Sequence, residues 1–594
     1  MMTQPTPIRI ANCSGFYGDR VSAAREMVEG GPIDVLSGDW LAELTMLILA
    51  RGRMKDPRAG FARTFLTQLE EVLGTCLDRG IRIVSNAGGL DPAACANAVA
   101  ELAARLGLNP VIASVAGDDL TGRLDELSEA GVSFANLDTG EKLADLGIDP
   151  ITANAYMGSW GIVAALDRGA DVVVTGRVTD AAVVVAPAAW RFGWAPDAWD
   201  QLAGAVVAGH IIECGAQCTG GNYAFFDEVP GIEHVGFPIA EIAADGTSVI
   251  TKHPNTGGIV SVGTITAQLL YEIAGPRYPT PDVVACFDTI HLEQEDPDRE
   301  GPDRVRVSAV RGEPAPPDLK VAINYLGGYR NAVTFEIVGL DARRKAEIAE
   351  RTLFAAILDG RDAFDEVDVR LEGTLTPAGD ALDAPVHLRV SVTDRDPGRV
   401  GRRFSNVATE MVLASYPGLH LAAPPGDARE FGVFWPTLVP ATLVCQEVAI
   451  GAERVAVPGP PTASQPFEPD LPEPGPSHAP PTEATRPVPL GRLVGARSGD
   501  KGGNANVGAW ARDEETFAWL DAFLTTSRLK ALLPESAPLT VLRYRLPNLR
   551  ALNFVIVGLL GRGVAASTRS DPQAKALGEE LRAVTVDVPV RLLD

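Results

Sequence analysis

The sequence predicts an α/β protein with a doubly wound, mostly parallel sheet at the N-terminus, then an α+β region, then a small C-terminal α+β domain. Three observations carry this expectation. Short β-branched runs recur from Ile8 to Val174, each closed by a polar turn and most of them followed by helical spacing, the grammar of βαβ units. From Val249 the pattern changes to alternating strands interrupted by the amphipathic stretch Asp341 to Leu358. Val457 to Pro489 is then dense in proline and poor in bulky apolar residues, so it reads as an extended linker rather than a folded element. The expected domains are 1–275, 276–456 and 488–594, with a proline-rich linker at 457–487.

In chain order, Ile8 to Ala11 is a strand ending in the turn Asn12 to Arg20, with a helix from about Val21. Ile33 to Leu36 repeats the strand and Ser37-Gly38-Asp39-Trp40 the turn. The clearest unit follows. Ile81 to Val84 is a buried strand, Ser85-Asn86-Ala87-Gly88-Gly89 its turn, and Asp91-Pro92 the cap and first position of a helix. Pro110 to Val115 and Ser133 to Leu137 read as further strands, with a polar stop at Asn154 to Gly158. Asp171 to Val174 closes the series, ending in Thr175-Gly176-Arg177-Val178-Thr179-Asp180. In such sheets the turns after the strands share one edge, where ligands bind. Each turn alone is also an ordinary βα connection, but this edge gathers Asn12, Arg20, Asp39, Asn86, Arg177 and Asp180.

Between Leu202 and Asn222 a helix puts His210, Glu213, Cys214 and Gln217 on one face. A histidine and a carboxylate facing one way suit proton transfer; the same face also reads as a hydrogen-bonded helix surface. His210, Cys214 and Cys218 lack an evident fourth ligand, so no metal is expected. Farther on, Lys252 precedes a glycine turn, Thr256-Gly257-Gly258, and Thr264 to Glu272 reads as helical. Arg304 to Val310 and Lys320 to Tyr325 read as strands, the latter stopped at Gly327 to Arg330. In the last domain, Ala496 to Asn506 is a glycine-rich loop carrying Arg497, Ser498, Asp500 and Lys501, able to offer cations and N–H groups to an anion. A helix from about Glu515 to Leu533 follows it.

The net charge of −25 argues against nucleic acid as a partner, since phosphate attraction needs a basic face. No long uninterrupted apolar run is present, so no membrane insertion is expected, and seven scattered cysteines fit reduced thiols in a cytoplasmic protein.

Several stretches together resemble the acyclic terpene utilisation (AtuA-type) family: Ser37 to Glu43, Val84 to Leu90, Val174 to Asp180, Ala208 to His210 with Glu213 to Gln217, and Thr256 to Gly258. Ala496 to Gly502, Leu546 to Leu549 and Leu552 to Phe554 resemble the ferredoxin-like domain fused to many members. The resemblance implies catabolism of citronellol- or geraniol-type acyl-CoA compounds.

The expected function is acid/base lyase chemistry, hydratase or dehydratase, on a branched acyl-CoA or related anionic organic acid. No GxGxxG opens the first βα unit, which disfavours a dehydrogenase, and no cofactor is expected beyond CoA as part of the substrate. Asp39 or Glu213 serves as base and His210 as acid, with Asp180 beside them. Substrate contacts are assigned to Asn12, Arg20, Asn86, Gly88, Gly89, Arg177, Lys252, Thr256, Gly257, Gly258, Arg497, Ser498, Asp500 and Lys501. The alternative is a non-catalytic binding or scaffold subunit of an acyl-CoA carboxylase or hydratase assembly; what discriminates is whether Asn86, Arg177 and His210 lie within one pocket. Apolar character at Leu269, Leu270, Phe431, Val433, Phe434 and Trp435 suggests an interface of a homo-oligomer as well as core.

Overall fold

Five parallel strands form the heart of the N-terminal sheet: β1 (Ile8–Asn12), β2 (Val35–Gly38), β3 (Arg82–Ser85), β4 (Ile112–Ala116) and, past β5 (Pro150–Ala155), β6 (Val172–Thr175). The computed structural model describes residues 5–375, 379–380, 384–476 and 483–593. Strand β6 inserts between β3 and β4, while β5 leaves this sheet and pairs with the strand Asp318–Ile337. Antiparallel strands extend both edges: β7 (Pro238–Ile242) and β8 (Ser248–Lys252) beside β1, and Gln446–Ile450 with Glu453–Val457 beside β4. The whole sheet has eleven strands.

Helices cover both faces. On one side α1 (Ala23–Gly30), α3 (Arg63–Arg79) and α4 (Pro92–Arg105) bury Met27, Phe65, Leu69, Val99 and Leu102; α2 (Glu43–Lys55) lies between β2 and α3 in sequence. On the other side, after the short α5 (Leu124–Glu129), come α6 (Trp160–Asp167), α7 (Ala182–Phe192) and α8 (Trp199–Ile212), which pack Ile162, Val184, Val206 and Ile211. Every residue of α8 from Leu202 to Ile212 is buried, as an all-round apolar helix requires.

Local geometry revises several expectations. Ser133 to Leu137 is not a strand, because Phe134 at φ 47° turns the chain and leaves one bridge, Ala135 to Lys142. Helix α8 stops at Ile212 rather than reaching Asn222. Gly215 adopts φ 59°, a Cβ there would stand 2.7 Å from the Phe237 ring, and the chain continues as the 3-10 turn Gly215–Thr219. The strand through Lys320 does not end at Gly327 but runs on to Ile337.

The chain divides into two compact units, Met1–Asn324 with Phe434–Val564 and Gln573–Asp594, and Tyr325–Val433 with Ala565–Pro572. The second unit packs the helices Ala342–Ala355 and Arg402–Glu410 against antiparallel strands, around Phe335, Leu353, Val390 and Phe404. The first unit contains the sheet of the C-terminal ferredoxin-like domain, ordered Val494–Lys501, Asn504–Ala511, Ala551–Ile556, Val541–Leu546. Arg497 to Lys501, expected in a loop, are therefore strand residues paired to Asn504–Ala511, and Gly502-Gly503 makes the turn. The expected helix Glu515 to Leu533 is two helices, since the Thr525 side chain accepts from Arg528 N (3.2 Å) and caps a second start.

The described part of the proline-rich segment is extended, as expected, but it is bound along its length. Ala463 N donates to Ala315 O (2.7 Å), Asp470 accepts from Arg277 N (2.8 Å) and Glu473 N donates to Arg543 O (2.8 Å). Residues 477–482 of that segment lie outside the described residues. The six apolar residues read as interface, Leu269, Leu270, Phe431, Val433, Phe434 and Trp435, are all buried within the chain, so they supply core and no argument for an oligomer. No helix among the described residues is long and apolar enough to cross a membrane.

Candidate active site

The ends of β2, β3 and β6 supply the first half of the site. Asn86 donates its side-chain amide to Asp39 Oδ1 and accepts from Trp40 N (2.7 Å), so the loops after β2 and β3 are tied through one carboxylate, which also accepts from Leu41 N (3.0 Å). Arg177, 2% exposed, donates to Leu41 O (2.8 Å) and to Asp180 Oδ1 (2.9 Å) and stacks on the Tyr156 ring at 4.2 Å. Its Nε has no hydrogen-bond partner among the described residues. Glu43, the first residue of α2, accepts from the Tyr156 hydroxyl (2.5 Å) and from Lys320 Nζ (3.4 Å). Asp118 accepts from Arg177 N (2.9 Å) and Asn154 Nδ2 (2.8 Å); it lies so close to Gly176 that a Cβ there would meet its Oδ1 at 2.2 Å.

These carboxyl groups are held in opposite states. Burial opposes ionisation of Glu43, but Lys320, Arg177 and the Tyr156 hydroxyl bring it down to about 2. Burial and the neighbouring Asp180 push Asp39 well above the usual carboxylate range, and burial lifts Asp118 to about 6.

The second half lies at the end of α8. The His210 ring packs against Tyr278 (5.3 Å between centroids) and Phe287 (5.5 Å). Its Nδ1 is 3.2 Å from Glu213 Oε1 without the alignment of a hydrogen bond, and Nε2 has no partner among the described residues. Burial, then Lys501, lowers His210 to about 4, so the imidazole is neutral at neutral pH. Burial, then Asp180 and Glu272, pushes Glu213 well up. Asn12 holds the Glu213 backbone in place, donating to its carbonyl (3.2 Å) and to Ser14 O (3.1 Å).

The ferredoxin-like domain completes this half in cis. Lys501 Nζ donates to Glu272 O (2.9 Å) and lies 5.6 Å from the Tyr278 ring centre. Glu272 N donates to Asn506 Oδ1 (2.9 Å), fixing a non-glycine residue at φ 56°. Asn506, Asn553 and Asn548 donate to the carbonyls of Leu270, Ile273, Ala274, Phe287 and Ile290 at 2.7–3.1 Å. Arg497 lies over Tyr271 (4.3 Å) and donates to the Gln217 side chain. Asp500, half-buried with one carboxyl oxygen lacking a partner among the described residues, is raised to about 8 by burial, Glu272 and Glu43. Asp180 joins the halves, since its charge raises Asp39, Glu213 and Glu272 alike, and Arg177 lowers Glu213.

Thus Asp39, Asn86, Arg177, Asp180, His210, Glu213, Asp500 and Lys501 converge, with Arg497 beside them. Other candidates are engaged elsewhere. Arg20 pairs with Glu26 (2.8 Å) and Val235 O (2.9 Å). Lys252 pairs with Asp303 (3.0 Å) and donates to Thr256 O (2.9 Å) within its own turn; Gly257 fits against Gly231 O, and Gly258 N is taken by Pro230 O (2.7 Å). Gly88 permits close approach of Thr175 O and Pro92, and Gly89 N already donates to Asn86 O (3.2 Å). Ser498 Oγ accepts from Gly578 N (2.8 Å) and donates to Lys575 O (3.2 Å), anchoring the helix Leu577–Ala583. Cys218 points at Gly215 O (3.7 Å). Glu43, Tyr156, Lys320, Glu272 and Tyr278 were missing from the sequence reading, although Glu43 closes the stretch Ser37 to Glu43 and Tyr156 sits in the stop after β5.

A parallel-centred α/β sheet with a ferredoxin-like domain feeding a lysine into a rim of oppositely poised carboxyl groups defines the class. The chain belongs to the family described as Acyclic terpene utilisation family protein AtuA, whose model matches residues 8–450, and the AtuA ferredoxin-like domain matches residues 488–587. That membership suggests a role in terpene catabolism. No curated protein and no solved structure matches the chain.

Proposed function

We propose that the chain is an acid/base lyase, a hydratase or dehydratase, acting on a branched, terpenoid-type acyl-CoA or a related anionic organic acid. The observation that carries this reading is a set of neighbouring groups poised in opposite protonation states. Asp39 and Glu213 are raised, while His210 is lowered with neither ring nitrogen hydrogen-bonded among the described residues. Pairs whose environments drive their pKa values apart are what acid/base catalysis needs at neutral pH. The directions favour exchanging the roles expected from the sequence: His210 receives the proton, and Glu213 or Asp39 delivers one to the leaving hydroxyl. Arg177 would balance the substrate's negative charge, and Asn12, by holding the Glu213 carbonyl, is a positioning residue. Glu43, paired with Lys320, joins Tyr156 and Asp180 in favouring the charged form of Arg177 against burial.

The test is incubation of the full chain with branched 2-enoyl-CoA and 3-hydroxyacyl-CoA esters, followed by mass spectrometry for gain or loss of one water. A thermal-shift series with the same esters, free CoA and di- and tricarboxylates reports binding alone. Interconversion abolished by His210→Gln supports the reading; stabilisation without turnover by any ester supports the scaffold alternative.

A further inference from the structure

Lysine is scarce in this chain: eight of its 52 basic residues are lysines. Where a fixed cation suffices, the sequence writes arginine, which stays protonated in proteins; lysine alone can give up its proton and become a nucleophile. Of the lysines in structured, partly or fully desolvated places, Lys252, Lys320 and Lys501 lie at or near the candidate residues, and their partners differ. Lys252 has Asp303 at 3.0 Å and Lys320 has Glu43 at 3.4 Å. Lys501 has no carboxylate within ion-pair distance among the described residues; its nitrogen rests on a neutral acceptor, the Glu272 carbonyl, at 2.9 Å. That carbonyl belongs to the residue held at φ 56° by Asn506, so the structure spends a strained backbone position on seating this amine.

We infer that Lys501 is a covalent site of this protein: its amine condenses with the carbonyl carbon of an oxo acid or oxoacyl thioester bound on the Arg177 side of the cluster. The step balances without a further reactant. The amine nitrogen adds to C=O, the carbinolamine loses its oxygen as water, and a C=N bond remains; the proton for the departing hydroxyl comes from Glu213 or Asp500. Burial, then the nearby Lys320, favours the neutral amine, while Glu272 and Glu43 oppose it. The inference rests on the anionic-acid reading of the site and adds a carbonyl-bearing substrate class to it.

The experiment is reductive trapping on the full-length protein, with acetoacetate, 2-oxobutanoate and acetoacetyl-CoA as probes, borohydride as reductant and peptide mass spectrometry as readout. The expected result is one adduct per chain, on Lys501, absent in Lys501→Arg. A parallel measurement needs no substrate: Lys501 should acylate about tenfold faster at neutral pH than the exposed Lys55 and Lys142. No adduct with any probe, or adducts spread over Lys55, Lys142 and Lys575, overturns the inference. If those results come while carboxylates still raise the melting temperature, the covalent step fails and the anionic-acid reading stands; no stabilisation by any anion removes that reading instead.

Discussion

The two halves of the site are built from the same kinds of side chain and organised in opposite ways. Around Arg177 most charges are paired: Asp180, Glu43 with Lys320, and Asp118 on the backbone of Arg177 itself. Around His210, among the described residues, the imidazole has no hydrogen-bond partner and the Lys501 amine rests on a neutral carbonyl with no carboxylate at ion-pair distance. Paired charges in a low-dielectric rim fix geometry, whereas unpaired groups retain the capacity to exchange protons. The contrast sets a charge-paired half beside an unpaired one within one cluster of side chains.

Substitution in the unpaired half is expected to break that contrast most sharply if it is false. His210→Gln or Glu213→Gln should slow the proposed reaction about 1,000-fold, roughly 4 kcal/mol of barrier. The melting temperature should move by less than about 2 °C in the same variants. A large melting shift in calorimetry would assign His210 to the scaffold. Arg177→Met, in the paired half, should lower stability as well as weaken substrate binding. It removes the cation facing Asp180 and the donor to Leu41 O, and should cost roughly 3 kcal/mol of unfolding free energy in urea titration.

The pH dependence sharpens the comparison further, because Asp118 in one half and His210 in the other respond with opposite sign. Asp118 is raised from 3.8 to about 6, so its stabilising contribution is complete below about pH 4 and is lost as pH rises through 6. His210 is lowered from 6.5 to about 4, so its contribution is present above 6.5 and is lost as pH falls through 4. In Asp118→Asn, unfolding free energy relative to the native chain should gain roughly 2 kcal/mol between pH 4 and pH 7; a flat difference contradicts the assignment. The smallest expected effect is Asn506→Ala, about 1 kcal/mol, read as faster amide exchange at Leu270 to Glu272 with the N-terminal sheet unchanged.

What the sequence made legible follows from chemistry that is local in the chain. A β-branched run, a polar glycine turn and a capped helix specify a βα unit, and five such strands do lie parallel, so Asp39, Asn86, Arg177 and Asp180 meet at one edge. His210 and Glu213 were legible as a pair at helical spacing, although the helix ends between them and the continuing face toward Gln217 was not real. Glu272 was not legible, because its placement depends on an asparagine 234 residues away. Lys252 with Thr256 to Gly258 misled for the complementary reason. A cation beside a glycine turn has the composition of an anion site, but Asp303 and Pro230 had already claimed its donors.

The asparagine bonds from the ferredoxin-like domain have a temporal consequence. They join Leu270 to Asn506 and Ile273 to Asn553, contacts that span 236 and 280 residues. A nascent chain can close its five-stranded core long before the hairpin bearing Lys501 has been synthesised, and N-terminal regions generally fold first. On the proposed reading, reactivity is thus the last property the polypeptide acquires, and an interrupted translation product would be born inert, with carbonyls still waiting for their donors.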